Sequence, residues 1–142
     1  MIVKKNTVIG YKNHLYSQET WSQDLELIRS RAISDKLRLV NHLYDSLTKR
    51  GMTVQDVLNA ICDPSAEIIQ GHAKHTYPYG FQTLNQDELR VVFGRTQDGK
   101  VIHVVIAMKT FNVVTVYFPT NNVFQQDLKT LRTEFCFKPI FA

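Results

Sequence analysis

His103 stands in the middle of KVIHVVIAM, residues 100–108, a run that is otherwise apolar after its first lysine. An imidazole titrates near neutrality, so it can take a proton from a nucleophile or give one to a leaving group. Arg95, Thr115 and Tyr117 lie in neighbouring β-rich runs, at positions that can alternate onto the strand face of His103. A guanidinium can meet two phosphate oxygens at once, and a tyrosine can donate to a phosphate or stack on a base. Together these residue types on an open sheet face suit RNA cleavage. The 2′-hydroxyl needs a base, the departing 5′-oxygen an acid, and the phosphorane-like charge between them a cation. The bland alternative is a half-buried histidine bonding a neighbour, with Arg95 a solvated edge charge and Tyr117 plain packing. On the catalytic reading, His103→Ala removes activity and leaves the thermal midpoint nearly unchanged.

Whether Arg95 shares that face depends on the hairpin joining its strand to the next. A two-residue Asp98-Gly99 turn sets Arg95 opposite Ile102, on the buried side. A three-residue loop, Gln97-Asp98-Gly99 with Gly99 left-handed, sets Arg95 opposite Val101 and Phe93 opposite His103. The second is expected, because the first buries a guanidinium without a partner.

The elements that must hold these residues follow from periodicity. Trp21, Leu25, Ile28 and Ala32 recur at helical spacing. A second helix is expected from Ser34 as cap, burying Leu37, Val40, Tyr44 and Leu47 and closing at Arg50-Gly51. Thr53 caps a third, with Asp56 in its first turn, and Asp63-Pro64 stops it. Residues 66–71, 88–95, 100–108 and 112–118 read as strands, and 76–84 as another broken at Pro78 and Gly80. The opening MIVKKNTVIGY reads as a short strand or irregular arm. A closing helix is expected from about Val123 to Leu131. In the last two long strands the even positions Ile102, Val104, Ile106, Met108, Val114, Val116 and Phe118 are wholly apolar and should face the helices. The odd positions Val101, His103, Val105, Ala107, Val113, Thr115 and Tyr117 form the less covered face. The expected fold is therefore α+β, with N-terminal helices on one face of a curved antiparallel sheet of four to five strands and a C-terminal helix. One domain spans 1–142: an extension and helix over 1–33, an α+β core over 34–118, and a helix and tail over 119–142.

Composition narrows the function classes. Of the 142 residues, 44% are hydrophobic and 21% charged, with a net charge of +4. These are the proportions of a globular chain, and the basic excess suits a polyanion such as RNA. Cys62 and Cys136 form no C-x-x-C pair, which reads as two thiols in a reducing cytosol. The first residues hold no uninterrupted apolar stretch of the signal-peptide kind, and no run approaches the roughly 20 residues of a membrane span. The expectation is a cytoplasmic protein without membrane contact.

Two further groups carry possible chemistry. His42 falls on a helix with Arg38, Asp45 and Lys49, opposite the apolar stripe. It is either part of a solvated face or a second acid/base if the helix borders the sheet face. His72 and His75 lie three apart in QGHAKHTYPYGFQ, but no third or fourth ligand is suitably spaced, so no metal and no cofactor are expected. Lys74, Tyr77 and Tyr79 in that stretch interleave charge and aromatic rings as single-stranded RNA contacts do.

The ordered pieces His42 with Arg50-Gly51, Glu67-Ile68-Ile69, Gly94-Arg95-Thr96, Ile102-His103-Val104-Val105-Ile106 and Thr115-Val116-Tyr117 resemble a known pattern. It is that of a bacterial domain-of-unknown-function family related to BrnT-type and RelE-type toxins, in the barnase–EndoU–colicin–RelE ribonuclease superfamily. The resemblance covers roughly residues 37–118. It implies helices against a curved antiparallel sheet, and a metal-independent ribonuclease toxin neutralised by a cognate antitoxin or immunity protein. The family's first helix usually carries an arginine four residues after the histidine. Ser46 stands there, which leaves Arg50 or Lys49 as the substitute phosphate contact.

The expected catalytic set is thus His103 as acid/base, Arg95 as charge stabiliser, Tyr117 and Thr115 on the phosphate, and His42 as a second acid/base. Arg50, Lys49, Lys74, Tyr77 and Tyr79 are the expected substrate contacts. The rival expectation is a module without catalysis that holds RNA or a partner protein on the same basic-aromatic surface.

Overall fold

A computed structural model describes residues 14–74 and 87–132. A short 3-10 turn, Gln18–Thr20, leads into helix α1, Trp21–Ile33, which buries Leu25, Ile28 and Ala32. Strand β1, Arg38–Leu39, precedes helix α2, Asn41–Lys49. Helix α3 covers Val54–Cys62. Strands β2, Glu67–His72, β3, Leu89–Arg95, β4, Val101–Ala107, and β5, Asn112–Tyr117, complete the order. Among the described residues the fold is α+β, three helices and one open sheet of five strands, in the order β1-β5-β4-β3-β2. β1 runs parallel to β5 while the other pairings are antiparallel, so the sheet is mixed.

Local signals decide α3. The Thr53 hydroxyl accepts from the Asp56 backbone N–H, and the Asp56 carboxylate accepts from the Thr53 N–H. This reciprocal cap satisfies two donors that a helix start leaves open. Gly51, at φ +69°, turns the chain after α2 where a side chain would be strained.

The second helix differs from the sequence reading. Ser34 ends α1, its hydroxyl donating to the Ser30 carbonyl, and Asp35 turns left-handed at φ 60°. Residues 38–39 then join the sheet, with the Arg38 N–H donating to the Phe111 carbonyl. Pairing with β5 outweighs helical propensity there, and α2 starts only at Asn41. Leu43 and Leu47 are its buried residues, while Tyr44 is exposed.

The β3–β4 hairpin has the three-residue loop. Phe93 faces His103 and Arg95 faces Val101, with Gly99 at φ +86° and the Thr96 N–H donating to the Lys100 carbonyl. In β5, pairing slips between Val105–Thr115 and Ile106–Val113. The extra residue, Val114, exchanges faces with Val113. Val113, fully buried, joins the cluster of Ile102, Val104, Ile106 and Val116 with Ile28, Leu43, Leu47, Val57 and Ile61 of the helices. Val114 lies with Leu89, Val91, Val105, Ala107 and Tyr117 on the other face. That reverses the expected assignment of this pair. β2 carries a similar irregularity between Ile68 and Gln70.

No closing helix forms over Val123–Leu131. Those residues make turns, bridged antiparallel between Phe124 and Leu131. The Asp127 carboxylate accepts from the backbone N–H groups of Lys129 and Thr130 and from the Thr130 hydroxyl. Leu128 takes a left-handed φ of 59°. A side chain that captures backbone donors in this way competes directly with the helical ladder. The strand expected over 76–84 and the N-terminal arm lie outside the described residues.

Candidate functional site around His103

His103 is fully buried. Its face of the sheet is not open, because residues 119–132 lie over it. The Phe124 ring meets the imidazole edge-on, with centroids 4.7 Å apart. Phe93 flanks it at 6.1 Å and Tyr117, its cross-strand partner, at 5.2 Å. The expectation of a less covered face is overturned by a segment that contributes no strand.

Both ring nitrogens are engaged. Nε2 lies 2.7 Å from the Leu128 carbonyl oxygen. A carbonyl can only accept, so Nε2 carries a hydrogen. Burial drives the imidazole pKa down to about 4, and the Leu128 carbonyl pulls weakly the other way. The ring is therefore neutral at physiological pH, and Nδ1 accepts from the Tyr117 hydroxyl at 3.2 Å. Burial also pushes the Tyr117 phenol above its ordinary range. In this state the imidazole ties β4, β5 and the 119–132 segment together and has no nitrogen left for a substrate.

Arg95 sits two residues from Phe93 on the same face, exposed, its guanidinium 5.7 Å from the Phe93 ring centroid. Lys129 approaches the same ring at 4.7 Å and pairs with Glu67 of β2. Two cations thus share one buried aromatic ring, an arrangement favoured by the ring quadrupole. Arg95 has no acidic partner among the described residues. Lys129 was not among the sequence candidates. Its place depends on how the 125–130 turn docks on β2 and β3, which no local pattern states.

Thr115, half-buried, pairs with Val105, one step along from His103 on its face, and no hydrogen bond joins the two. His42, Lys49 and Arg50 are exposed on α2 or just after it. Leu43 and Leu47 of α2 enter the helix-side cluster, so the sheet separates these three from the imidazole. Lys74 is exposed beyond the end of β2. Tyr77, Tyr79 and His75 lie outside the described residues. The structure therefore joins His103 with Tyr117, sets Arg95 nearby through Phe93, and leaves His42, Lys49 and Arg50 on the far side.

Two buried polar groups stand outside the expected site: Arg90, which the sequence reading did not weigh, and His72, which it weighed only as a metal ligand. Arg90, 3% exposed, donates from Nε to Asp24 of α1 at 2.9 Å, from Nη2 to Glu88 at 3.1 Å, and from Nη1 to its own strand's Leu89 carbonyl. Arg90 lies within an apolar strand on the helix side, so it needs an acid from another element. His72 is buried with Nε2 2.9 Å from the Gln70 side-chain oxygen. Its pKa falls to about 3, chiefly by burial and then by the charges of His14 and Arg90.

Two concavities flank these features. A cavity of about 290 Å³ lies between the α2–α3 turn and the β3–β4 hairpin, lined in part by Asp56, Thr96, Asp98 and Lys100. A crevice of about 510 Å³ runs between the β2 edge, at Glu67, Ile68 and Ile69, and residues 127–131. Among the described residues, no three His, Cys, Asp or Glu side chains group as a metal site. No helix among them is long and apolar enough to cross a membrane.

A family described as a domain of unknown function, DUF4258, matches residues 39–118, rather more than half of the chain. The chain belongs to the DUF4258 family. The match includes α2, α3, β2 to β5 and all of the His103 cluster except its cover, the segment with Phe124, Leu128 and Lys129. Nothing in it links the chain to BrnT-type or RelE-type toxins. No curated protein and no solved structure matches the chain.

Proposed function

We propose that this DUF4258 chain is a cytoplasmic RNA-binding domain whose phosphate contacts are Arg95 and Lys129. One observation carries the reading. Arg95 is exposed, braced on Phe93, without an acidic partner among the described residues, and it shares that ring with a second cation. A guanidinium held this way loses little freedom on meeting a phosphate. The net charge of +4 adds long-range attraction for a polyanion. The buried, doubly bonded His103 favours binding over turnover in the closed state. The test is affinity for single-stranded RNA across a salt series. Arg95→Ala and Lys129→Ala should each weaken binding and reduce the salt slope by about 0.7 for each phosphate no longer neutralised. Unchanged affinity and slope in both variants would remove this surface from the function.

A second reading is favoured by the hydrogen-bonded His103–Tyr117 pair beside Arg95. It is a metal-independent endoribonuclease of the BrnT and RelE toxin kind, held in check by a cognate antitoxin or immunity protein. Attack of the 2′-hydroxyl on phosphorus forms the 2′,3′-cyclic phosphate and breaks the bond to the 5′-oxygen. The proton leaves the 2′-oxygen and a proton reaches the 5′-oxygen. His103 must be uncovered to serve in either transfer. Cleavage that persists in EDTA and leaves cyclic phosphate ends supports this reading, and metal-dependent cleavage refutes it.

A further inference from the structure

We propose that residues 119–132 form a strap that lifts from the sheet as a unit and opens the His103–Tyr117 pair, beside Arg95, to a phosphodiester of single-stranded RNA. The proposal deepens the ribonuclease reading and rests on it for the ligand.

The strap is closed on itself. Its backbone-to-backbone hydrogen bonds among the described residues all have both ends within it. Val123 and Phe124 donate to Thr120, Gln125 to Thr130, Leu128 to Gln125, and Arg132 to Val123. The Asp127 turn and the bond from Arg132 Nε to the Asn121 carbonyl add to this internal set. Lifting such a segment leaves most of its own hydrogen bonds intact.

Its attachments to the sheet are few, and they converge on the site. His103 donates to the Leu128 carbonyl, Lys129 pairs with Glu67 and lies on Phe93, and the Phe124 ring covers His103. Phe124 and Leu131 are buried, yet neither belongs to either of the two core clusters. Neither cluster therefore loses a member when the strap lifts. The main tether also carries strain. Leu128, whose carbonyl receives the histidine bond, is left-handed at φ 59°, a conformation that disfavours a leucine. Along one side the strap is already undercut by the crevice of about 510 Å³ against β2.

Opening changes the chemistry at one atom. Nε2 loses its carbonyl partner and meets solvent, so the imidazole returns toward its ordinary titration range. The charged and titratable groups near it are then the Tyr117 hydroxyl on β5, Arg95 and Glu67 around Phe93, and Lys129 on the departing strap. A histidine that titrates near neutrality next to a guanidinium without an acidic partner among the described residues is the pair that phosphoryl chemistry uses.

The experiment measures modification of His103 by diethyl pyrocarbonate, assigned residue by residue by mass spectrometry, over urea concentrations below the unfolding transition. A strap that opens locally gives a rate nearly independent of urea, because little surface is exposed. A His103 rate that climbs with the full slope of global unfolding overturns the proposal. Phe124→Ala removes the cover without touching the pair. It should raise His103 modification by about ten-fold or more while the sheet keeps a cooperative thermal transition. If that variant does not fold, the urea series on the unaltered chain still decides. A labelled single-stranded RNA separates the two ideas. Faster cleavage by Phe124→Ala that disappears in Phe124→Ala/His103→Gln supports both. Local opening without any cleavage refutes the ribonuclease reading and leaves the strap standing.

Discussion

Truncating His103 to alanine removes a fully buried ring and both of its hydrogen bonds. Deleting a buried aromatic side chain costs about 3–5 kcal/mol through lost transfer energy and the cavity left behind. The Leu128 carbonyl and the Tyr117 hydroxyl also lose their partner. Each would add about 1–3 kcal/mol if it stayed dry. Leu128 lies on the strap, so its carbonyl can turn to water when the strap loosens, and that cost is largely avoided. The expected loss is therefore about 4 kcal/mol, a large share of the roughly 5–15 kcal/mol that holds a domain of this kind together. It corresponds to a fall of roughly 10 °C in Tm for a chain of this size. Urea unfolding followed by circular dichroism measures it, and the slope of the transition reports whether the folded state has also loosened. His103→Gln is the companion variant. Its amide nitrogen reaches the Nε2 position and can still donate to Leu128, so it should recover about 1 kcal/mol or more. A loss below about 1 kcal/mol in His103→Ala, with an unchanged slope, would refute the structural role derived from burial. It would restore the expectation, drawn from alternation alone, that the residue is dispensable for stability.

Acid should weaken the fold in a defined window. His103 titrates at about 4 in the folded chain against 6.5 unfolded, so its stabilisation is complete above about pH 6.5 and is lost as pH falls toward 4. The amount is on the order of 3 kcal/mol, read as a falling urea midpoint between pH 7 and 4.5, and His103→Gln should flatten that slope. His72, lowered to about 3, acts in the same direction and extends the loss to lower pH. Asp24→Asn leaves the buried Arg90 guanidinium with Glu88 alone and should cost about 2–3 kcal/mol by the same assay. Asp24→Asn/Arg90→Met should regain much of it, because the stranded charge is gone. In Gly94→Ala the new Cβ would stand 2.1 Å from the Ala60 carbonyl oxygen, which is backbone and cannot swing away. The separation of α3 from β3 that this forces should cost about 1–3 kcal/mol, and a stability equal to that of the parent would refute the close approach.

Short-range chemistry was legible in the residues themselves. Thr53 and Asp56 cap α3 because both partners lie within one turn. Gly99 selects the three-residue loop, and that loop sets Phe93 opposite His103 and Arg95 opposite Val101, since strand register follows from turn length. The apolar helix-side face of β4, with Ile102, Val104 and Ile106, follows from strict alternation. Alternation failed where pairing slipped. The bulge at Val114 exchanged two valines between faces, and only the partner strand determines where such a slip occurs. Ser34 looked like a helix start but ends one, because residues 38–39 gain a partner in β5 from far along the chain. Arg90 and Asp24 give no sign in sequence that they belong together. The nature of His103 was decided by the same kind of distance. Its strand position was readable from neighbours, but whether the face was open depended on the docking of residues 119–132. That segment contributes no strand, holds itself together through Asp127, and reaches the imidazole only through the Leu128 carbonyl and the Phe124 ring. Burial is a property of everything that surrounds a side chain, and no periodicity in β4 can report what a separate turn lays on top of it.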